Sequence, residues 1–165
     1  MVLVTGSRTA TVTLPTDRQI LITRELDAPR CPVYRAWTTP GLVRRWWSGH
    51  QGEMMTCETD LRVGGRWRYV MVTHGGDEVA FSGEYREIVP DKRIVTTEVY
   101  EQPGAPEAPP ALNVVIFREA DGRTTLEFLV ETATREQRDA ILDPGMEAGM
   151  QEQLDLLEEL VVSLG

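Results

Sequence analysis

Cysteine and histidine are scarce in this chain of 165 residues, which contains two of each. Two cysteines, Cys31 and Cys57, cannot build the disulfide framework of a small secreted domain, and no Cys-x-x-Cys or mixed Cys/His motif of a zinc site is present. No stretch approaches the roughly 20 apolar residues of a membrane-spanning helix, and the N-terminus lacks a secretory signal. We therefore expect a soluble protein of the reducing cytoplasm, without a metal site.

Positive charge is also in deficit. The chain has 17 Lys and Arg residues against 26 Asp and Glu residues, which gives a formal net charge of −9. A surface that binds nucleic acid or an anionic membrane needs a basic face from which counterions are released, so neither partner is expected. The length fits one domain with its own core. We expect residues 1–165 to form a single unit, in which residues 1–13 add an edge strand or remain loose.

Apolar periodicity predicts an α+β fold. Residues 18–26 (RQILITREL) are typical of a first strand, and residues 31–47 favour two short helices, the second beginning at Pro40. A period of two then predicts six antiparallel strands within residues 54–131. Apolar residues at spacings of three and four predict a long helix over residues 145–164. The first strand finds a free edge only at the last strand before this helix, so we expect those two strands to pair.

Turn chemistry separates the predicted strands. Pro90-Asp91 and Asp121-Gly122 are typical of tight turns between antiparallel strands. Residues 102–111 (QPGAPEAPPA) contain four prolines and cannot lie inside a strand, which predicts a surface loop at one rim of the sheet. After the last strand, Thr134 is a typical N-cap for a short helix.

Several motifs together suggest a family. They occur in a fixed order along the chain: Asp27-Ala28-Pro29, Trp46-Trp47, Gly64-Gly65 before an aromatic strand, Gly83-x-Tyr85-x-x-Ile88-x-Pro90, and a final GMEAGMQEQLDLLEELV. From about residue 14 to its end, the chain resembles the heat shock protein 90 ATPase activator homologue-like family of the START-like, helix-grip (SRPBCC) superfamily. The resemblance implies a curved antiparallel sheet of about six to seven strands wrapped around a long C-terminal helix, with two short helices after the first strand. It also implies a chaperone as a candidate partner.

Strand parity predicts which side chains face the helix. If Trp67, Tyr69 and Met71 point inward, Arg66 and Arg68 point outward. The same parity places Phe81, Gly83 and Tyr85 inside. We expect a cavity between the sheet and the C-terminal helix that binds a small apolar or amphipathic ligand. Its predicted lining is Trp46, Trp67, Tyr69, Phe81, Tyr85, Met146 and Met150, with His50 at a polar rim. The alternative is that most of these residues form an ordinary closed core.

The charged residues of the strands have two interpretations. Glu84, Glu87 and Glu98 alternate with arginines, a pattern typical of a solvated outer face. The sharper alternative is that one inward Arg or Glu orients a polar group of the ligand.

No catalytic or nucleotide-binding motif is present in the sequence, so no catalytic residue, cofactor or metal is assigned. His50 and His74 have no metal-ligand spacing and fit polar loops. Besides a ligand-binding domain, two functions remain open: an enzyme of the cyclase, dehydratase or hydrolase type that uses a Tyr, Arg or His as proton donor, and a chaperone-interacting stress-response module. The protein is expected to be a monomer or a homodimer.

Overall fold

The computed structural model describes residues 9–101, 109–143 and 145–164. Within these ranges there are eight strands and four helices, in the order two strands, two helices, six strands and two helices. The strands are β1 (Thr11–Thr13), β2 (Gln19–Leu26), β3 (Gly52–Thr59), β4 (Arg66–Thr73), β5 (Glu78–Val89), β6 (Arg93–Glu101), β7 (Ala111–Ala120) and β8 (Arg123–Glu131). The helices are α1 (Arg30–Thr38), α2 (Pro40–Val43), α3 (Arg135–Ile141) and α4 (Met146–Leu164).

All strands join one antiparallel sheet in the order β1-β2-β8-β7-β6-β5-β4-β3. The predicted pairing of the first long strand with the last is confirmed, because Gln19 of β2 faces Glu131 of β8. The sheet has one strand more than the predicted six to seven, because residues 11–13 pair with β2 as an edge strand. The α+β, helix-grip arrangement is otherwise as predicted.

The predicted turns are present where the structure describes them. Asp91 and Asp121 have positive φ angles of 64° and 54°, and Gly122 follows at 75°. Such left-handed conformations are tolerated best by Gly, Asn and Asp, which is why these residues close the β5–β6 and β7–β8 hairpins. Thr134 accepts a hydrogen bond from the Gln137 amide and caps α3 as predicted. Most of the predicted proline-rich loop, residues 102–108, lies outside the described residues.

Helix α4 packs on the concave face of the sheet. Its apolar stripe forms one core with buried side chains of β2, β7 and β8. The buried residues of the stripe are Met150, Leu154, Leu157, Leu160 and Val161. No helix in the described ranges is both long and apolar enough to cross a membrane.

A buried ion pair joins this helix to the sheet. Arg24 of β2 is only 2 % exposed, and its Nη2 donates to Glu158 Oε1 of α4 at 2.9 Å. Its Nη1 lies 2.9 Å from Asp155 Oδ1. Glu158 is itself buried, and its second oxygen accepts a hydrogen bond from the Asp27 amide. Both oxygens of Glu158 are therefore occupied, as a buried carboxylate requires.

We expect Arg24→Ala to destabilise the fold strongly, because Glu158 would remain buried without its charge partner. Removal of one member of a buried pair typically costs about 3–5 kcal/mol. Urea unfolding of the purified variant measures this loss.

Two further variants make this test specific. Arg68→Ala removes a solvent-accessible pair with Glu101 and should cost less than about 1 kcal/mol. The double variant Arg24→Met, Glu158→Leu should recover most of the stability, since an apolar pair of similar volume replaces both charges. Equal midpoints for Arg24→Ala and Arg68→Ala would contradict the role given to the buried pair.

Candidate functional site

The concave face of β4 to β7 carries three rows of inward side chains, set by the strand register. In the most buried row, Thr96 lies between Tyr85 and Asn113. In the middle row, Trp67 faces Gly83 and Glu98 faces Ala111. Glu98 also lies opposite Gly83, since Ser82 pairs with Val99 and Tyr85 with Thr96 on the same ladder. In the outer row, Phe81 lies between Tyr69 and Tyr100.

Aromatic rings dominate the outer row. Trp47, from the turn after α2, makes edge contacts with Tyr69 and Phe81 at centroid distances of 5.3 and 5.4 Å. Phe81 stacks on Tyr100 at 5.0 Å, and Tyr100 is 48 % exposed. We call Trp47, Tyr69, Phe81 and Tyr100 the aromatic rim. It leads from solvent to Trp67, whose ring lies 4.9 Å from that of Tyr69.

Helix α4 holds Trp47 in this rim. Gln153 of α4 donates a hydrogen bond to the Trp47 carbonyl oxygen, and Glu152 accepts one from the His50 amide at 3.3 Å. The turn after α2 is thus attached to the first half of α4. The aromatic rim is therefore built by both the sheet and the helix.

Glu98 faces the interior, and the prediction of an outer position was wrong for this residue. It belongs to the same inward set as Thr96 and Tyr100, and a hydrogen bond from the Asn113 side chain reaches its carboxylate. Desolvation raises the pKa of Glu98, partly offset by that hydrogen bond. Glu84 and Glu87, by contrast, form ion pairs with Arg86 and Arg93 at the surface, as predicted.

Tyr69 and Glu98 combine two properties that rarely occur together. Each retains partial solvent accessibility. Yet desolvation is the largest cause of the raised pKa of Glu98. Desolvation also raises the pKa of Tyr69 strongly, and the nearby Tyr85, Cys57 and Glu98 raise it further. Both side chains belong to the concave face of the sheet. We take the part of this face between the middle and outer rows as the candidate site and call it the recess.

Two buried polar atoms in these rows have no hydrogen-bond partner among the described residues. They are Trp67 Nε1 and Asn113 Oδ1, on side chains that are 6 % and 4 % exposed. Gly83 makes room for the indole, because a Cβ at this position would lie 2.7 Å from Trp67 Nε1 and would overlap the Thr97 carbonyl oxygen. Unpaired buried polar atoms are uncommon, and each needs a specific explanation.

Other polar groups near the recess are already paired. The Tyr85 hydroxyl lies 2.5 Å from Thr59 Oγ1, and burial raises the pKa of this phenol. The Cys57 thiol donates to the Pro40 carbonyl oxygen at 3.6 Å, and burial raises its pKa too. A thiol that resists ionisation is a poor nucleophile, so Cys57 does not indicate covalent chemistry.

The remaining predicted lining residues lie in different surroundings. Trp46 packs on Trp37 at 4.8 Å and donates its indole N–H to the Ala36 carbonyl oxygen, so its ring faces the α1 side of the core. Its neighbour Trp47, which was not among the predicted lining residues, joins the aromatic rim instead. Met150 is buried and Met146 is half-buried on α4, where both pack on the core.

Both histidines are exposed and lie in adjacent turns. His74 Nε2 is 2.8 Å from the His50 carbonyl oxygen, and the side chain of His50 faces solvent. Across the described ranges, no group of three or more His, Cys, Asp or Glu side chains is arranged to hold a metal ion.

A depression of about 530 Å³ lies on the opposite, outer face of the sheet. Charged residues make up most of its lining, among them Arg68 and Glu101, and Thr59, Trp67 and Ser82 complete it. These two form a bidentate ion pair, which lowers the pKa of Glu101. Because most of its lining is charged and accessible to solvent, we assign the ligand site to the concave face and not to this depression.

Comparison with known proteins places the chain among related sequences and folds. Residues 27–162 match the family described as "Activator of Hsp90 ATPase homolog 1-like protein". Among curated proteins, none matches the chain significantly.

Solved structures share the fold over nearly the whole chain. A protein from Rhodobacter sphaeroides has 23% identity, with 94% of this chain and 99% of that chain covered, at a TM-score of 0.84. A protein from Nitrosomonas europaea has 25% identity, 92% and 98% coverage, and a TM-score of 0.81. A protein from Mycobacterium smegmatis has 23% identity, 92% and 96% coverage, and a TM-score of 0.82.

The raised pKa of Glu98 predicts a stability effect with a definite sign. A carboxyl whose pKa is higher in the folded state favours folding below its ordinary value of 4.5 and loses that contribution as pH rises through the raised pKa. Glu98→Gln should therefore be more stable than wild type at pH 7, and the difference should shrink towards pH 4. Thermal unfolding at both pH values measures it.

Glu25→Gln is the matched control for this variant, because Glu25 is an exposed carboxyl on β2. Its melting temperature should follow that of wild type at both pH values. A Glu98→Gln variant that is less stable than wild type at pH 7 would show that the carboxylate is well solvated or well paired, contrary to the geometry above.

Proposed function

Since this chain belongs to the family of Activator of Hsp90 ATPase homolog 1-like proteins, whose fold wraps a sheet around a helix, we propose that it binds a small apolar or amphipathic molecule. The proposed site is the recess between the concave face of the sheet and α4. Its mouth is the aromatic rim, and its interior is the middle row with Trp67 and Glu98. The observation that carries the proposal is that Tyr69 and Glu98 are partly accessible and yet desolvated.

The composition of the recess supports a small-molecule site. Such sites are mostly apolar and aromatic, with a few polar groups that fix the orientation of the ligand. Here the walls are Trp47, Tyr69 and Phe81, and the polar groups are Glu98 and Asn113. Methionines 146 and 150 of α4 pack on the core behind the proposed site, where their flexible side chains can adjust to a ligand of irregular shape.

The partly exposed end of the rim supports access from solvent. Tyr100 stacks on Phe81 and exposes nearly half of its surface, whereas Trp67 behind them is almost fully buried. An apolar ring entering along this path would keep aromatic contacts at each step.

A second candidate function, acid–base catalysis in the same recess, is favoured by one observation. Desolvation raises the pKa of Glu98 towards neutrality, which increases the fraction of the carboxyl that holds a proton to donate. Tyr69 lies close enough to contribute to the same electrostatic environment. A cyclase or dehydratase needs a proton donor of this kind beside an apolar substrate.

Ligand occupancy is the direct test of the proposed site. Native mass spectrometry of the gently purified protein should show a bound small molecule that leaves on denaturation. With the ligand removed, the neutral dye N-phenyl-1-naphthylamine should bind with a fluorescence increase. Tyr69→Ala should weaken dye binding by about tenfold, which corresponds roughly to the loss of one aromatic contact pair. Met150→Trp should reduce binding by filling the recess.

Met55→Trp is the control for the filling variant. Met55 is 60 % exposed at the bulge of edge strand β3, so the same ring is added outside the recess. Its dye binding should equal that of wild type. If the protein purifies without a ligand and the dye does not bind, the recess is closed by its own side chains. A response of the Hsp90 ATPase rate to the added protein would then favour the chaperone-interacting function.

Turnover of the extracted ligand separates catalysis from binding. If Glu98 is the proton donor, product formation should fall as pH rises through its raised pKa. Glu98→Gln should lower the rate by about 10²–10⁴-fold, the usual contribution of a general acid. Glu25→Gln should leave the rate unchanged. A rate that does not respond to Glu98→Gln excludes this carboxyl as the acid.

A further inference from the structure

We propose that residues 47–49 form a gate over the concave face, held closed in this structure by one turn of α4, and that a ligand reaches Tyr69 and Phe81 when this gate opens. The role of the gate as an entrance rests on the proposed ligand-binding function. The motion of the gate does not, because it follows from how residues 47–49 are attached to the rest of the fold.

The ring of Trp47 lies against the aromatic residues of the outer row. It is half-buried and makes edge contacts with both Tyr69 and Phe81. Phe81 in turn stacks on the exposed Tyr100, so an apolar molecule that follows the rim inward from Tyr100 next meets Trp47. A ligand that packs on Tyr69 and Phe81 therefore requires Trp47 to move away. Trp47 can then close against the bound ligand as a wall of the recess.

One turn of α4, residues 151–153, joins the two edges of the sheet. The outermost strands are β1 and β3. Gln151 binds Ala10, just before β1, by accepting from its amide at 3.1 Å and donating to its carbonyl oxygen at 3.0 Å. Gln153 donates to the Trp47 carbonyl oxygen, in the turn that leads into β3. Successive helical residues are about 100° apart, so the two glutamines project from nearly opposite sides of α4.

The two edges are held unequally. Residues 11–13 pair with β2 along the whole length of β1, whereas residues 47–49 form a turn outside every strand. The amides of Trp47 and Gly49 donate only to carbonyl oxygens three or four residues earlier. Beyond these local bonds, the turn is held to α4 by the side chains of Gln153 and Glu152, and the bond from the His50 amide to Glu152 is exposed and 3.3 Å long. A segment held in this way opens more readily than a strand in a ladder.

Fixed points on both sides confine the opening to residues 47–49. Before the gate, Trp46 is 4 % exposed and donates its indole N–H to the Ala36 carbonyl oxygen. After the gate, His74 Nε2 lies 2.8 Å from the His50 carbonyl oxygen. Between these points, Gly49 has a φ angle of 59°, a conformation that glycine adopts without strain. The gate can therefore move while α2 and β3 stay in place.

A disulfide that locks the gate tests the inference. A Cβ atom on Gly49 would lie 3.5 Å from Glu152 Cβ, within the range of about 3.5–4.5 Å found in disulfides. The lock is Gly49→Cys with Glu152→Cys, made together with Cys31→Ser because Cys31 is an exposed free thiol. Stopped-flow fluorescence measures the association rate of N-phenyl-1-naphthylamine. Oxidation should slow association by about tenfold or more, since the rate follows the open fraction, and dithiothreitol should restore it. Equal rates in the two redox states overturn the gate.

Two glutamine variants locate the opening on one side of α4. Gln153→Ala removes the bond to Trp47 and should raise the association rate about three- to tenfold, the usual effect of one hydrogen bond. Gln151→Ala removes the same side chain from the opposite side and should leave the rate unchanged. An equal increase in both variants overturns the assignment of the gate to residues 47–49.

The failure of the gate differs from the failure of the proposed function. If the dye binds at the same rate to the oxidised and reduced forms, the ligand site stands and the gate is overturned. If the dye does not bind, the proposed site fails, and fluorine NMR of the protein labelled with 5-fluorotryptophan decides on the gate. The Trp47 resonance, assigned with Trp47→Phe, should show exchange that the Trp46 resonance lacks and that the oxidised lock abolishes. A Trp47 resonance without exchange overturns the gate as well.

Discussion

The buried ion pair of Arg24 and Glu158 fixes the distance and rotation of α4 over the sheet, and the recess depends on this geometry. Apolar contacts alone allow a helix to slide on a concave surface, because they have little directional preference. A carboxylate with both oxygens occupied, one by Arg24 and one by the Asp27 amide, is satisfied in one position only. With α4 fixed there, Gln153 holds Trp47 in the aromatic rim.

The middle row of the concave face contains two small residues. Gly83 and Ala111 flank Glu98, while larger rings stand in the rows on either side. Gly83 is also required by the backbone, since a Cβ there would collide with the Thr97 carbonyl oxygen. One glycine therefore allows the close approach of β6 and provides room for the Trp67 indole. The proposed recess thus follows from the packing of the strands, and Glu98 places a carboxyl in it.

Much of the architecture could be predicted from the sequence. The alternation of inward and outward side chains was clear in strands that have aromatic residues on one face and charged residues on the other. Trp67 and Tyr69 are inward and Arg66 and Arg68 outward, as their parity indicated. Arg24 could also have been found, since it has the same parity as Ile20 and Ile22 in β2. Its partner Glu158 follows Leu154 by four residues, within the apolar stripe of α4.

Glu98 could not be placed in the same way. In RIVTTEVYE both alternating sets contain apolar residues, and Val95 is buried although it belongs to the set opposite Glu98. A bulge between Tyr85 and Glu87 also shifts the pairing of β5 with β6. The inward and outward positions of β5 therefore do not predict those of β6. Similarly, nothing in the pattern distinguished Trp46 from Trp47, because the path of the turn after α2 depends on contacts with α4 that are distant in sequence.

The position of Glu98 also bears on whether the recess is part of the core or a functional site. A carboxyl with a pKa raised by desolvation weakens the folded state at neutral pH, where a glutamine would make similar hydrogen bonds without that cost. Arg24 shows that the same chain can neutralise a buried charge with a directly opposed partner. Glu98 instead receives only the Asn113 amide, beside an unpaired oxygen and an unpaired indole N–H. Groups left this way contribute little to folding, which supports the proposal that this face of the sheet binds a ligand.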